Sequence, residues 1–208
     1  VAAVKTAEAA TAIPIEVDVM HSDEFGKDSI KKWGVSPDAF VQMAFQLAYY
    51  RIHQKPAPTY ESCAVRRFLH GRTETIRSLH TQSASLAMGY DTAEPEQQVE
   101  LLRTAAQAQS EVSALAAKGM GVDRHLYALQ VLSAARGGPE HPLFSEELYA
   151  HSGTWHLSTS NVTSETVKLF GFGPACTDGY GLGYTIQPDS VTCTISRCVA
   201  SNFMCHSK

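Results

Sequence analysis

Hydroxyls, carboxylates and guanidinium groups crowd two stretches of this sequence. One runs from Thr59-Tyr-Glu-Ser62 through Gly71-Arg-Thr-Glu-Thr75 to Arg77, with apolar Phe68 and Ile76 interleaved. The other, Ser158-Thr-Ser160, sets hydroxyls on opposite faces of a strand end, because strand side chains alternate with period two. Ser and Thr hydroxyls can donate to an oxyanion or a carboxylate, and Arg grips a carboxylate through two parallel N–H bonds. On these residues alone, the segments are either a polar site for a small anionic or zwitterionic ligand or a solvated loop.

Other groupings point to less. Gly171-Phe-Gly173 and Gly179-Tyr-Gly-Leu-Gly183 do not give GxGxxG between a strand and a helix, so they read as turn glycines and close backbone packing. Cys193, Cys198, Cys205 and His206 lack the paired C-x-x-C spacing of a metal site and read as free thiols, so no metal ligand is assigned. Nine histidines are many, but no Gly-x-Ser-x-Gly elbow accompanies any of them.

The elements that must position these groups are legible in part. Ser36-Pro37-Asp38 starts a helix, with Ser as N-cap and Pro in the first turn. Phe40, Ala44, Leu47 and Ala48 mark its buried stripe, and it should span 37–53 before Lys55-Pro-Ala-Pro58. A second helix is expected over 96–118, with Val99, Leu102, Ala105, Ala106, Val112 and Leu115 buried. A third spans 123–136, with Leu126, Leu129, Val131 and Leu132 apolar, and a short one lies near 146–150. Strands are expected at 154–160, 179–186 and 190–196, and 59–77 should hold a short strand plus an active loop. Residues 1–24 read as an irregular lead-in, 25–196 as one domain and 197–208 as a divergent tail. The class is α/β, a mixed sheet flanked by helices.

Composition narrows the field. The 208 residues are 44% hydrophobic and 18% charged, enough for a core. Seventeen basic against 21 acidic residues leave a net of −4, which argues against nucleic acid as the partner. No uninterrupted apolar run is long enough for a transmembrane segment. Five cysteines are too few for a disulfide framework and suggest an intracellular, reduced chain.

The string PTYESCAVRRF…HGRTETIRS, followed by GMGVDRHLYAL, HLSTS and FGFGP…DGYGLGY, resembles the carnitine/choline O-acyltransferase family, with its blocks in family order across roughly 25–196. The resemblance implies the carboxyl-terminal acyltransferase domain, of chloramphenicol-acetyltransferase-like fold. Members move an acyl group between coenzyme A and carnitine or choline, with a histidine general base and no further cofactor. Tyr60, Ser62 and Thr73 match residues that hold the carnitine carboxylate, and Arg124 matches the arginine that complements its charge. Ser160 matches the serine that stabilises the oxyanion, Ser158 the first serine of the same motif, and Phe172 an aromatic near the trimethylammonium group. Lys27, Lys31, Asp38 and Asn161 match coenzyme A contacts. A bulky Phe170, glycine in long-chain members, implies a short acyl chain. Arg124 and Thr73-Glu-Thr75 resemble the carnitine branch rather than the choline one.

The departures define an alternative. Ala64, Ser110 and Asn161 stand where acetyl-transferring members have serine, arginine and glutamine, which weakens the coenzyme A match. The family's His-Ser/Thr-x-x-Asp-Gly block does not occur, and His21-Ser22 echoes it without Asp-Gly at the needed spacing. The chain therefore reads as part of a carnitine O-acyltransferase lacking its amino-terminal portion, with the isolated chain inactive. The competing reading is a truncated, non-catalytic ligand- or partner-binding remnant. By resemblance the compartment is the mitochondrion or peroxisome.

Overall fold

A computed structural model describes residues 14–199. Six strands form one sheet, flanked by helices, which bears out the mixed α/β class. The strands are β1 (Ile15–Ser22), β2 (Thr59–Ala64), β3 (Thr73–Arg77), β4 (Leu157–Asn161), β5 (Tyr180–Ile186) and β6 (Val191–Cys198), in the order β1-β6-β5-β4-β2-β3. The central pairs β2–β4 and β4–β5 are parallel, and the outer pairs are antiparallel.

Helix α1 spans Lys27–Lys32 and α2 Pro37–His53, followed by α3 (Thr81–Gly89), α4 (Pro95–Ala117), α5 (Asp123–Ala135), α6 (Pro142–Ser145) and α7 (Glu147–Ser152). Helix α2 starts as its sequence dictates: the Ser36 hydroxyl accepts from the Ala39 N–H at 3.5 Å, with Pro37 in the first turn. Left-handed Gln54 ends it, its N–H bonded to the Tyr50 carbonyl.

The faces that the helices bury match expectation at some positions, such as Ala105 and Ala106, and differ at others. In α2, Ala44 and Ala48 are exposed, and the buried row is Ala39, Gln42, Met43, Gln46 and Tyr49. The cause is hydrogen bonding, which permits amides inside. Gln42 donates to the Thr159 hydroxyl at 2.9 Å and the Tyr184 hydroxyl at 3.0 Å, and Gln46 to Thr59 at 2.9 Å. In α4, Val99 and Leu115 are largely exposed while Ala105, Ala106, Gln109 and Ala116 are buried. Helix α5 buries no residue completely, and Leu129, Val131 and Leu132 face outward.

Three further expectations are corrected. Residues 15–22, read as irregular lead-in, are a full strand paired along its length with β6. Arg197 and Cys198, read as tail, complete β6, with Cys198 paired to Ile15. Residues 59–77 hold two strands joined as an antiparallel pair rather than one strand and a loop. Cys205 and His206 lie outside the described residues. Among those described, Cys63, Cys176 and Cys193 are free thiols, and no helix is long and apolar enough to cross a membrane.

The sheet presents two unlike faces. One carries Glu61, Thr159, Leu182 and Tyr184 against α2 and α4, around a core of Val41, Tyr49, Leu157, Ile186 and Val191. By strand alternation, the other carries Tyr60, Ser62, Ser158, Ser160, Gly181 and Gly183.

Candidate active site

The parallel pairing of β2 with β4 sets Tyr60 beside Ser158 and brings two hydroxyls of the second face together. Ser62 Oγ and Ser160 Oγ lie 3.2 Å apart although 98 positions separate them in the chain. Both are half-buried, close enough to solvent to meet a ligand and shielded enough to hold a rotamer.

Past Tyr60 opens a cleft of about 340 Å³, lined by Tyr60, Thr75, Arg124, Tyr127, Tyr149 and Trp155 among others, and neither serine is part of its lining. The Tyr60 and Trp155 rings lie 5.6 Å apart. Arg77, also at the cleft, is committed: it donates to Asp123 at 2.6 Å and to the Ser152 carbonyl at 2.8 Å, and its guanidinium lies 4.7 Å from the Trp155 ring centroid. Arg124 is exposed, and its bonds are to Thr73, whose carbonyl and hydroxyl accept at 3.2 and 3.3 Å. An aromatic-walled cleft with a positive guanidinium at one side suits a ligand carrying a cation and a carboxylate, through ring-face attraction and charge-assisted bonding.

The remaining sequence candidates fall elsewhere. Phe170 and Phe172, ring centroids 6.3 Å apart, line a second cavity of about 470 Å³ with Ile15, Val17 and Leu169. Their backbone rests on β5 through its glycines: a Cβ on Gly181 would come within 2.6 Å of the Phe172 oxygen, and one on Gly183 within 2.6 Å of the Phe170 oxygen. These glycines therefore serve close packing, as their spacing suggested. Lys27 and Lys31 sit one turn apart on α1, Lys31 exposed. Asp38 and Asn161 contact each other, the Asn161 amide donating to Asp38 at 2.9 Å. His21 lies in β1, its Nδ1 2.8 Å from the Thr192 hydroxyl.

Sequence reading passed over what lies beneath the hydroxyl face. Glu61, between Tyr60 and Ser62 but on the opposite side of β2, is buried with Gln109 and Tyr184, beside half-buried Asp38. Gln109 donates to Glu61 at 3.2 Å, and the Tyr184 hydroxyl lies 3.2 Å from Glu61 and 2.7 Å from Asp38. Burial, then the nearby Asp38 charge and a hydrogen bond with it, pushes Glu61 up to about 9, so it is neutral at physiological pH. The same burial, with the two carboxyls, raises Tyr184 well above its ordinary value. The network fastens α2, α4, β2 and β5 to one another directly under Ser62. Alternation of Glu61 with the site residues was the available signal.

Set beside known proteins, the sequence falls within one class. The family model for "Choline/Carnitine o-acyltransferase" matches residues 1–206, and the chain belongs to that family. It is similar to carnitine O-acetyltransferase of Rattus norvegicus, 40% identical over 88% of this chain and 29% of the relative. Human choline O-acetyltransferase is 38% identical over 90% of this chain and 25% of its own length. The "Carnitine O-palmitoyltransferase 2, mitochondrial" of Xenopus tropicalis is 36% identical over 88% and 28%. The chain thus spans between a quarter and three-tenths of these relatives, which differ among themselves in acyl chain and acceptor.

Proposed function

We propose that this chain forms part of a carnitine O-acyltransferase, carrying the acceptor pocket and an oxyanion-stabilising hydroxyl for acyl transfer between coenzyme A and carnitine. The observation that carries the reading is the Ser62–Ser160 hydroxyl pair together with the cleft that joins Tyr60 to Arg124. In this reading Arg124 and Thr73 bind the carnitine carboxylate with Tyr60 and Ser62, and the aromatic walls accept the trimethylammonium group. Ser160 donates to the oxygen of the thioester carbonyl as it becomes negative, the point at which a positioned donor lowers the barrier most. Ser158, one alternation earlier in β4, supports the same face. Lys27 and Lys31 meet coenzyme A phosphates, and Asp38 and Asn161 lie along its path.

Removal of the carnitine hydroxyl proton falls to a histidine general base in the family's His-Ser/Thr-x-x-Asp-Gly block, which these 208 residues do not contain. Choline is the weaker acceptor in this reading, because it has no carboxylate to engage Arg124. The test is Arg124→Ala in the complete enzyme. Loss of one charge-assisted carboxylate bond, about 1.5–3 kcal/mol, should weaken carnitine use roughly ten- to a hundredfold and spare the KM for acetyl-coenzyme A. Equal loss for both substrates would remove Arg124 from the acceptor site. An enzyme that prefers choline before any substitution would reverse the choice of branch.

A further inference from the structure

We propose that His156, Cys176 and Asp178 form a site for a divalent metal ion of the zinc type, at the entrance of the two central strands. An imidazole nitrogen of His156, the Cys176 sulfur and a carboxylate oxygen of Asp178 all lie within 4.8 Å of one another. His156 Nε2 and Asp178 Oδ2 are 3.3 Å apart, and two ligands about 2.0–2.2 Å from a tetrahedral zinc ion are separated by about 3.3–3.5 Å. The mixed sulfur, nitrogen and oxygen set is one that zinc accepts and that magnesium or calcium does not favour.

The surroundings fit the same reading. His156 Nδ1 lies 3.1 Å from the Thr154 carbonyl, a contact that places the ring proton there and leaves the Nε2 lone pair facing the cluster. No nucleophilic thiol–imidazole pair is formed, because the Cys176 thiol donates to the Trp155 carbonyl at 3.4 Å rather than to the ring. Glycine at 179 is required for the approach, since a Cβ there would stand 2.8 Å from the Cys176 sulfur and 2.9 Å from the His156 carbonyl oxygen. The His156 side chain is 10% exposed and that of Asp178 51%, so an ion has a route in and a fourth position open to water.

Charge and protons balance. The ion replaces the thiol proton, which goes to solvent, and neutral imidazole, thiolate and carboxylate then compensate its two positive charges. Because Tyr180 follows Gly179 directly and its N–H donates to the His156 carbonyl at 2.7 Å, the ion would tie the 176–178 loop to the first residues of β4 and β5.

The experiment is titration of the chelator-treated, purified protein with Co²⁺, followed by Zn²⁺ competition. One equivalent of Co²⁺ should give a thiolate-to-metal charge-transfer band and the intense visible bands of tetrahedral coordination, both displaced by Zn²⁺. Cys176→Ser should abolish the charge-transfer band. His156→Ala and Asp178→Asn should each weaken binding by more than the ten- to hundredfold typical of losing an outer-shell partner, and Cys205→Ser should change nothing. Unaltered circular dichroism in Cys176→Ser excludes unfolding as the cause, and Zn²⁺ should raise the melting temperature of the wild type but not of that variant. A charge-transfer band that survives Cys176→Ser, or weak octahedral spectra alone, would overturn the site.

Discussion

Glu61 holds a proton because folding removes its carboxyl from water and sets it beside Asp38. A carboxyl whose folded pKa exceeds its unfolded value binds more protons folded than unfolded between the two. Stability then falls as pH rises from the ordinary carboxylate range toward about 9, by at most about 1.4 kcal/mol per unit for one proton. Urea midpoints should therefore drop in the wild type between about pH 7.5 and about pH 8.5, where ordinary histidines are already mostly neutral. Glu61→Gln keeps the volume and offers an N–H toward Asp38, so its midpoints should fall less steeply across that window. The remaining slope comes from the thiols of Cys176 and Cys193, which burial holds above the ordinary thiol range. Parallel slopes for the two proteins would mean that Glu61 ionises freely in the fold. Phe170 carries a prediction of a different sort, since its ring occupies the wall of the apolar cavity. In the complete enzyme, Phe170→Gly should extend acyl transfer to medium and long chains while leaving acetyl transfer largely intact. Rates over a series of acyl-coenzyme A lengths would check it, and a wild type already best with palmitoyl would refute it.

At the scale of elements, β5 is the strand most exacting of its sequence. Its glycines face the 170–173 segment and its Leu182 and Tyr184 face the helices, so the two periods cannot be exchanged. Gly183→Ala drives a Cβ against backbone atoms, the Phe170 oxygen at 2.6 Å and the Gly171 Cα at 3.2 Å, and should cost about 1–3 kcal/mol. Gly89→Ala meets only a Leu101 methyl at 3.5 Å at the end of α3 and should be neutral or stabilising by up to about 1 kcal/mol. Thermal unfolding of both variants measures the difference, and similar losses would sink the packing argument. Local chemistry made α2 readable, because Ser36-Pro37 fixes its start whatever it packs against. Its buried face was not readable: Gln42 and Gln46 look solvent-facing until Thr59, Thr159 and Tyr184 arrive from distant strands to satisfy them. Strand β1 did carry a signal, Ile15, Val17 and Val19 alternating with Glu16 and Asp18, and its position at the sheet edge with every residue from 15 to 21 exposed is why that signal was faint. The hydroxyl and guanidinium residues could be named from sequence, whereas Glu61 and the His156 cluster depend on which strands adjoin.

Across the whole molecule, apolar surface remains uncovered among the described residues. Tyr127, Leu129, Val131 and Leu132 of α5, Met120 and Val122 before it, and Leu148 of α7 all face outward. The chain on its own should therefore self-associate, seen as elution from size exclusion that shifts with concentration; a monomer independent of concentration would contradict this. It should also show no acyl transfer from acetyl-coenzyme A to carnitine, for want of a base worth about 10²–10⁴ in rate, until the histidine-bearing portion is supplied. Turnover by residues 1–208 at enzyme-like rates would place the base within them. The parallel alignment of β2 with β4 has a kinetic corollary. Ser62 and Ser160 meet only after the intervening helices have closed a loop of nearly a hundred residues, and the entropy of that closure must be met before the contact gives anything back. During refolding, helical signal from α2 and α4 should thus return well before Ser62 and Ser160 meet, and formation of their contact should report completion of the central sheet.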